Sequence, residues 1–115
     1  MNFSKDIYNI QALKDNWNGY NAKAISQVVI DRALELDVML DCCDYVVPTP
    51  KGTIQFEYRC DSKYFEVEVT KNKYELMLVE SFIHNNVKYD YENVKYYTVF
   101  KKDYVPMILH NFLNK

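Results

Sequence analysis

The sequence predicts one α+β domain over residues 1–115, built from two N-terminal helices, a four-stranded antiparallel meander and a C-terminal helix. Apolar residues first recur every three or four positions, which is typical of helices. From residue 53 they alternate with polar residues, as in half-buried strands, and near the C-terminus helical spacing returns. Helices and strands in separate blocks favour helices packed on one face of an antiparallel sheet.

Two helices are predicted before the strands. The first runs from Ser4, as N-cap, to Asn16, and the second from Ser26, also an N-cap, to about Asp44. Their apolar stripes consist of Ile7, Ile10 and Leu13 in the first helix and Val29, Ala33, Leu36, Leu40 and Cys43 in the second. Both helices are therefore expected to bury one face.

Between the helices, the segment Asn16–Asn21 contains three asparagines and one glycine, which favour turns and left-handed backbone. It predicts a structured loop held by Trp17 and Tyr20. Two interpretations stay open: these aromatics form an exposed anchoring patch for a partner, or they fill the core between the first helix and the sheet.

The C-terminal half carries the predicted strands. Pro48 and Pro50 exclude a helix and predict an extended entry to the sheet. Asn85-Asn86 predicts a turn within the polar, less regular segment Phe82–Asn93, and Pro106 fits the first turn of the last helix. The four strands and the helix are predicted over Thr53–Cys60, Tyr64–Thr70, Tyr74–Ser81, Val94–Phe100 and Asp103–Leu113.

The segment Leu13–Ser26 resembles the N-W-D-G-Y-G-A-x-P-I-S signature of small bacterial proteins, often from prophages or mobile elements. A later P-x-P-x-x-G-x-I-x-L-E-W stretch of that pattern corresponds to Pro48, Pro50, Gly52, Ile54, Phe56, Glu57 and Tyr58. The chain departs from the signature at Asn18, Asn21 and Ala24, which replace Asp, Gly and Pro. The resemblance covers roughly residues 10 to 70. It implies a helix, loop, helix, strand order and carries no activity.

Charge and composition restrict the function classes. A net charge of −2 and a pI near 5.6 disfavour a protein whose main task is coating nucleic acid. No leader-like start and no run of eighteen apolar residues occurs, so a cytoplasmic protein without membrane insertion is expected. Three cysteines, two of them adjacent, form a poor disulfide framework and suit a reducing compartment.

Acidic and amide residues alternate with the apolar positions of the strands. Gln55, Glu57, Glu66 and Glu68, with Glu80 as a further candidate, are predicted on the face away from the core, where they would receive a basic partner, a metal or only water. A metal site is disfavoured, because His84 and His110 lack a neighbouring ligand at metal-binding spacing. No phosphate-binding glycine loop is present, and no cofactor is expected.

The sequence therefore favours a non-enzymatic protein-binding module, an inhibitor or immunity-like factor of phage or mobile-element origin. Its partner-binding residues are predicted to be Trp17, Tyr20, Gln55, Glu57, Glu66 and Glu68. The alternative is a nucleic-acid-associated accessory protein that uses the Tyr- and Lys-rich stretch 88–97 with Lys101, and an unrecognised small hydrolase ranks third. The eleven tyrosines also fit a homodimer formed through an exposed strand or sheet face.

Overall fold

The computed structural model describes residues 3–40, 43–60, 62–84 and 87–114. Three helices and five strands follow one another in the order α1 Ser4–Gln11, α2 Gln27–Met39, β1 Tyr45–Pro48, β2 Ile54–Cys60, β3 Lys63–Val69, β4 Tyr74–His84, β5 Val87–Val99 and α3 Tyr104–Leu113. The predicted α+β class and the order of the helices are confirmed. The number of strands is five rather than four.

The five strands form one antiparallel sheet in the order β1-β2-β3-β4-β5. On one face, apolar residues of neighbouring strands lie opposite each other, as Phe56, Val67 and Leu76 do across β2, β3 and β4. Ile30 of α2 and Leu109 of α3 belong to the same buried cluster. The molecule thus has two layers, with the helices packed against one face of the sheet.

The additional strand is β1, in the segment that the sequence predicted only as an extended entry. Its four residues pair with β2, from Tyr45 opposite Glu57 to Pro48 opposite Ile54. Proline has no N–H to donate, and sheets accept it mainly in edge strands. Pro48 satisfies that condition because it is the last residue of an edge strand. The proline is therefore compatible with a short strand here.

Helix α2 begins as predicted and ends earlier. The Ser26 hydroxyl accepts a hydrogen bond from the Val29 backbone N–H at 3.4 Å, which confirms the N-cap. The helix stops at Met39 instead of near Asp44, because Leu40 is extended, with ψ at 117°. Leu40 is still buried, so helical spacing was a misleading guide to the last turn.

Helix α1 is also shorter than predicted and ends at Gln11 instead of Asn16. Phe3 occupies the N-cap position that the sequence assigned to Ser4. The Phe3 backbone N–H donates to the buried Asp37 carboxylate at 3.0 Å, which fixes the start of α1 to α2. This tertiary contact, rather than a local serine cap, determines where α1 begins.

Strands β4 and β5 are longer than the sequence indicated. In the segment Phe82–Asn93, predicted as irregular, residues 82–84 continue β4 and residues 87–93 belong to β5, with a register shift between Ser81 and Ile83. The predicted turn at Asn85-Asn86 lies outside the described residues. Within the described residues, no helix has the length and apolar character needed to cross a bilayer.

Candidate protein-binding surface

The sheet face that points away from the helices is called the open face here. Central residues of the open face are Gln55, Glu57, Tyr64, Glu66, Glu68, Glu75, Met77 and Tyr96. None of these residues is fully buried, whereas the opposite face carries the core. Four glutamates therefore share a surface that no described helix covers.

Strand register places these glutamates opposite each other in two pairs. Glu57 on β2 faces Glu66 on β3, and Glu68 on β3 faces Glu75 on β4. Residues in such cross-strand pairs have Cβ atoms about 4.5–5.5 Å apart, and like charges there destabilise the sheet. The open face thus contains electrostatic repulsion that a bound cationic group would relieve.

The two pairs differ in how far the chain neutralises them. Lys51 lies 3.5 Å from the Glu68 carboxylate, and Lys73 lies 3.2 Å from that of Glu75. Among the described residues, neither Glu57 nor Glu66 forms a salt bridge. The uncompensated charge is therefore concentrated on the Glu57–Glu66 pair.

Burial, together with neighbouring charges, shifts the pKa values of two groups on the open face. Partial burial and the neighbouring Glu57 charge raise the pKa of Glu66 above its ordinary value. Burial and the charges of Glu66 and Glu57 also raise the pKa of Tyr64, so its hydroxyl stays protonated. That hydroxyl donates a hydrogen bond to the Glu57 carboxylate at 3.2 Å.

A cavity of about 600 Å³ opens beside the Glu57–Glu66 pair, and its lining consists of Asp44, Tyr45, Glu57, Tyr58, Arg59 and Tyr64. The Arg59 guanidinium stacks on the Tyr64 ring at 4.6 Å. The lining combines aromatic rings with carboxylates and already holds one cation, the Arg59 guanidinium. Tyr45, at the margin, is 64% exposed.

The loop between α1 and α2 forms a second exposed feature. Tyr20 is 87% exposed, so it does not fill the core, while Trp17 is half-buried and donates its indole N–H to the Lys23 carbonyl at 2.9 Å. Asn18 Oδ1 accepts from the backbone N–H groups of Tyr20 and Ala22 at 2.8 and 3.1 Å. The loop is thus internally hydrogen-bonded and presents Tyr20 to solvent.

The turn between β1 and β2 contacts both this loop and the open face. On one side, the Lys23 backbone N–H donates to the Pro50 carbonyl at 3.0 Å. On the other, the Thr53 hydroxyl donates to the Glu68 carboxylate at 2.6 Å. The two groups of predicted site residues are consequently linked through one short segment of chain.

The register brings four of the six predicted site residues together, namely Gln55, Glu57, Glu66 and Glu68. Trp17 and Tyr20 lie apart from them in the loop. Glu80 belongs to the opposite face, where it pairs with Lys63 at 3.9 Å. Sequence reasoning missed Glu75, which strand alternation from Tyr74 could have placed on the open face.

The Tyr- and Lys-rich stretch 88–97 lies on β5, and the side chains of residues 88–92 are outside the description. In the described part, Lys95 and Tyr96 alternate and thus point to opposite faces. Lys102 pairs with Glu35 at 3.0 Å. No group of three or more His, Cys, Asp or Glu side chains able to hold a metal occurs among the described residues.

No protein-family model, curated protein or solved structure matches this chain.

Proposed function

We propose that this domain is a non-enzymatic binding module whose open face docks on a basic surface of another protein. The observation that carries the proposal is the Glu57–Glu66 pair, in which two carboxylates face each other without a salt bridge. Lysine or arginine side chains of a partner would replace repulsion by attraction at this point. Such complementarity increases both the association rate and the selectivity of docking.

Aromatic residues at the margins of the open face support the same function. Tyr45 and Tyr96 are 64% and 74% exposed at opposite edges of the sheet, on either side of Glu57 and Glu66 in one cross-strand row. Tyrosine contributes large contact area at low entropic cost, and it is enriched in interfaces. An acidic centre between tyrosines fits an interface with a basic protein better than it fits a solvated surface.

An inhibitory role follows from the chemistry of such a partner. Clusters of lysine and arginine on proteins commonly bind phosphate groups of nucleic acids. An acidic domain seated on such a cluster blocks it, which is the action of an inhibitor or immunity-like factor. Tyr20, presented to solvent by its hydrogen-bonded loop, offers a further contact apart from the acidic face.

The experiment compares two charge-matched double variants in capture of a partner from nuclease-treated lysate of the native host. Glu57→Gln with Glu66→Gln removes two charges from the open face, while Glu35→Gln with Glu80→Gln removes two charges elsewhere. We expect the first variant to lose the partner and the second to retain it. Bound proteins are identified by mass spectrometry, and cross-linking maps the contacted lysines.

Three results would contradict the proposal. Equal loss with both variants would indicate a general charge effect, and retention by both would place the interface elsewhere. If the parent chain captures the partner from untreated lysate but not from nuclease-treated lysate, the alternative is favoured, a nucleic-acid-associated protein. In that case retention on single-stranded nucleic acid should decrease with salt and with replacement of Lys95 and Lys101.

A further inference from the structure

The outer edge of β5 is a second surface, which borders the open face at Tyr96. The sheet ends at β1 on one side and at β5 on the other. β5 pairs with β4, and no described strand pairs with its other side. Backbone N–H and C=O groups along that side are therefore available to another strand.

The two edges of the sheet differ in the features that prevent pairing with other chains. β1 is four residues long and ends in Pro48, and both short length and proline disfavour pairing of an edge strand with another chain. β5 has thirteen residues and contains neither proline nor glycine. Its residues 93–99 pair with β4 in unbroken register and form the longer edge that can receive another strand.

Both faces of β5 are also exposed at its C-terminal half. All residues from 93 to 98 are exposed, although Lys95 and Tyr97 lie on the side where the helices pack. Exposed aromatic residues continue past the strand at Phe100 and Tyr104. The described helices thus leave residues 93–98 of this strand uncovered on two faces and one edge.

We propose that β5 pairs antiparallel with β5 of a second copy of this chain, around a two-fold axis at Tyr96. A two-fold axis perpendicular to the sheet reverses the strand and keeps each residue on its own face. Tyr96 then lies opposite Tyr96 of the partner subunit, Lys95 opposite the partner's Tyr97, and Val94 opposite the partner's Thr98. Aromatic and cation–π pairs of this kind stabilise a sheet.

Neighbouring registers are less favourable. An axis at Lys95 would place two lysines directly opposite each other, which is destabilising. An axis at Tyr97 would pair Val94 with the partner's Phe100, which lies past the end of β5. The axis at Tyr96 keeps residues 93–99 paired within the strand.

Charge also favours the β5 edge as the meeting point of two acidic chains. Pairing through β5 separates Glu66 on the two β3 strands by five strand spacings, about 24 Å, well beyond the Debye length of about 8 Å. Pairing through β1 would bring Glu57 on the two β2 strands, which forms no salt bridge with any described residue, within about 14 Å. Glu75 on the two β4 strands comes within a similar strand separation in a β5 pair, but it has its own salt bridge to Lys73. A second copy at β5 therefore keeps the two Glu57–Glu66 pairs farther apart than a second copy at β1 would.

The first test measures molar mass by light scattering across a range of concentrations. We expect a mass about twice that of the 13.7 kDa chain, converting to the single-chain mass on dilution. Tyr96→Lys places two cations at the axis, so its dissociation constant should rise at least tenfold while the circular dichroism spectrum is unchanged. A parent chain that stays at the single-chain mass at every concentration overturns the proposal.

Cysteine cross-linking tests the register independently of the stability of any variant. In a background with Cys42→Ser and Cys60→Ser, a short thiol-to-thiol cross-linker should couple Tyr96→Cys chains to each other. Val94→Cys should couple to Thr98→Cys when the two are mixed, and much less when each is alone. The matched control is Tyr45→Cys, an exposed tyrosine on the β1 edge, and equal coupling there would contradict the β5 interface.

The proposed dimer and the proposed partner-binding function can be tested independently of each other. The Glu57→Gln, Glu66→Gln double variant should keep the doubled mass, because neither residue lies on β5. Loss of partner capture with an intact dimer, or the reverse, therefore identifies which surface is involved.

Discussion

At the scale of single residues, the Glu57–Glu66 pair identifies a place where the fold is less stable than it could be. Natural binding surfaces often retain such unfavourable contacts, because stability is exchanged for function there. If the pair serves binding, neutralising it should weaken partner capture and strengthen the fold at the same time. Replacing a residue with a purely structural role would instead lower the free energy of unfolding, since its contacts stabilise the fold.

Glu66→Gln is accordingly expected to raise the free energy of unfolding at pH 7 by a few tenths of a kcal/mol to about 1 kcal/mol. The pKa of Glu66 is higher in the folded protein than in the unfolded chain, so protonation of Glu66 stabilises the fold. This stabilisation is fully present below the ordinary pKa of 4.5 and is lost as the pH rises through the folded-state pKa. The advantage of glutamine should thus shrink as pH falls toward 4.5. Urea unfolding of both proteins at several pH values measures this difference in the free energy of unfolding.

The control for this prediction is Glu80→Gln. Glu80 lies 3.9 Å from Lys63, so its neutralisation removes an attraction and should not stabilise the chain. If both substitutions stabilise the protein equally, the effect comes from net charge and not from the facing pair.

At the scale of elements, alternation and helical spacing predicted every helix and four strands, together with the four residues that meet on the open face. The errors occur where tertiary contacts override local pattern. Leu40 is buried although it is extended, and Pro48 is tolerated because β1 is an edge strand. Cross-strand pairing of Glu57 with Glu66 depends on register, which alternation alone does not fix.

The loop between α1 and α2 is the element whose sequence pattern has the clearest structural explanation. Asn18 Oδ1 accepts two backbone hydrogen bonds, from Tyr20 and Ala22. Asn18→Ala removes both and should lower the free energy of unfolding by about 1–3 kcal/mol. Asn18→Asp, which restores the residue of the resembling signature, keeps the Oδ1 acceptor of both hydrogen bonds and should unfold close to the parent in a thermal melt.

The fluorescence of Trp17, the single tryptophan, reports on this loop. Asn18→Ala should alter it in the folded state, whereas Asn18→Asp should not. If the aspartate variant is as unstable as the alanine variant, the hydrogen bonds are not the reason for a polar residue at this position.

At the scale of the whole molecule, all three helices and the sheet contribute to one buried cluster. Ile7 of α1, Leu36 of α2 and Leu109 of α3 are each almost completely inaccessible to solvent. A domain with one shared core is expected to unfold in a single cooperative transition. The open face and the β5 edge would then be rigidly held by the same core, as surfaces for recognition require.

Leu109→Ala tests this cooperativity with a probe at a distance. Deleting the buried side chain should lower the free energy of unfolding by about 2–5 kcal/mol, while Val38→Ala, at an exposed helical position, should change it by less than about 0.5 kcal/mol. Because Leu109 lies in α3 and Trp17 in the loop before α2, tryptophan fluorescence and helical circular dichroism should shift together. Separate midpoints in Leu109→Ala would mean that α3 docks on the sheet as an independent unit, and the β5 edge beside it would then lack the fixed geometry that pairing with a second copy needs.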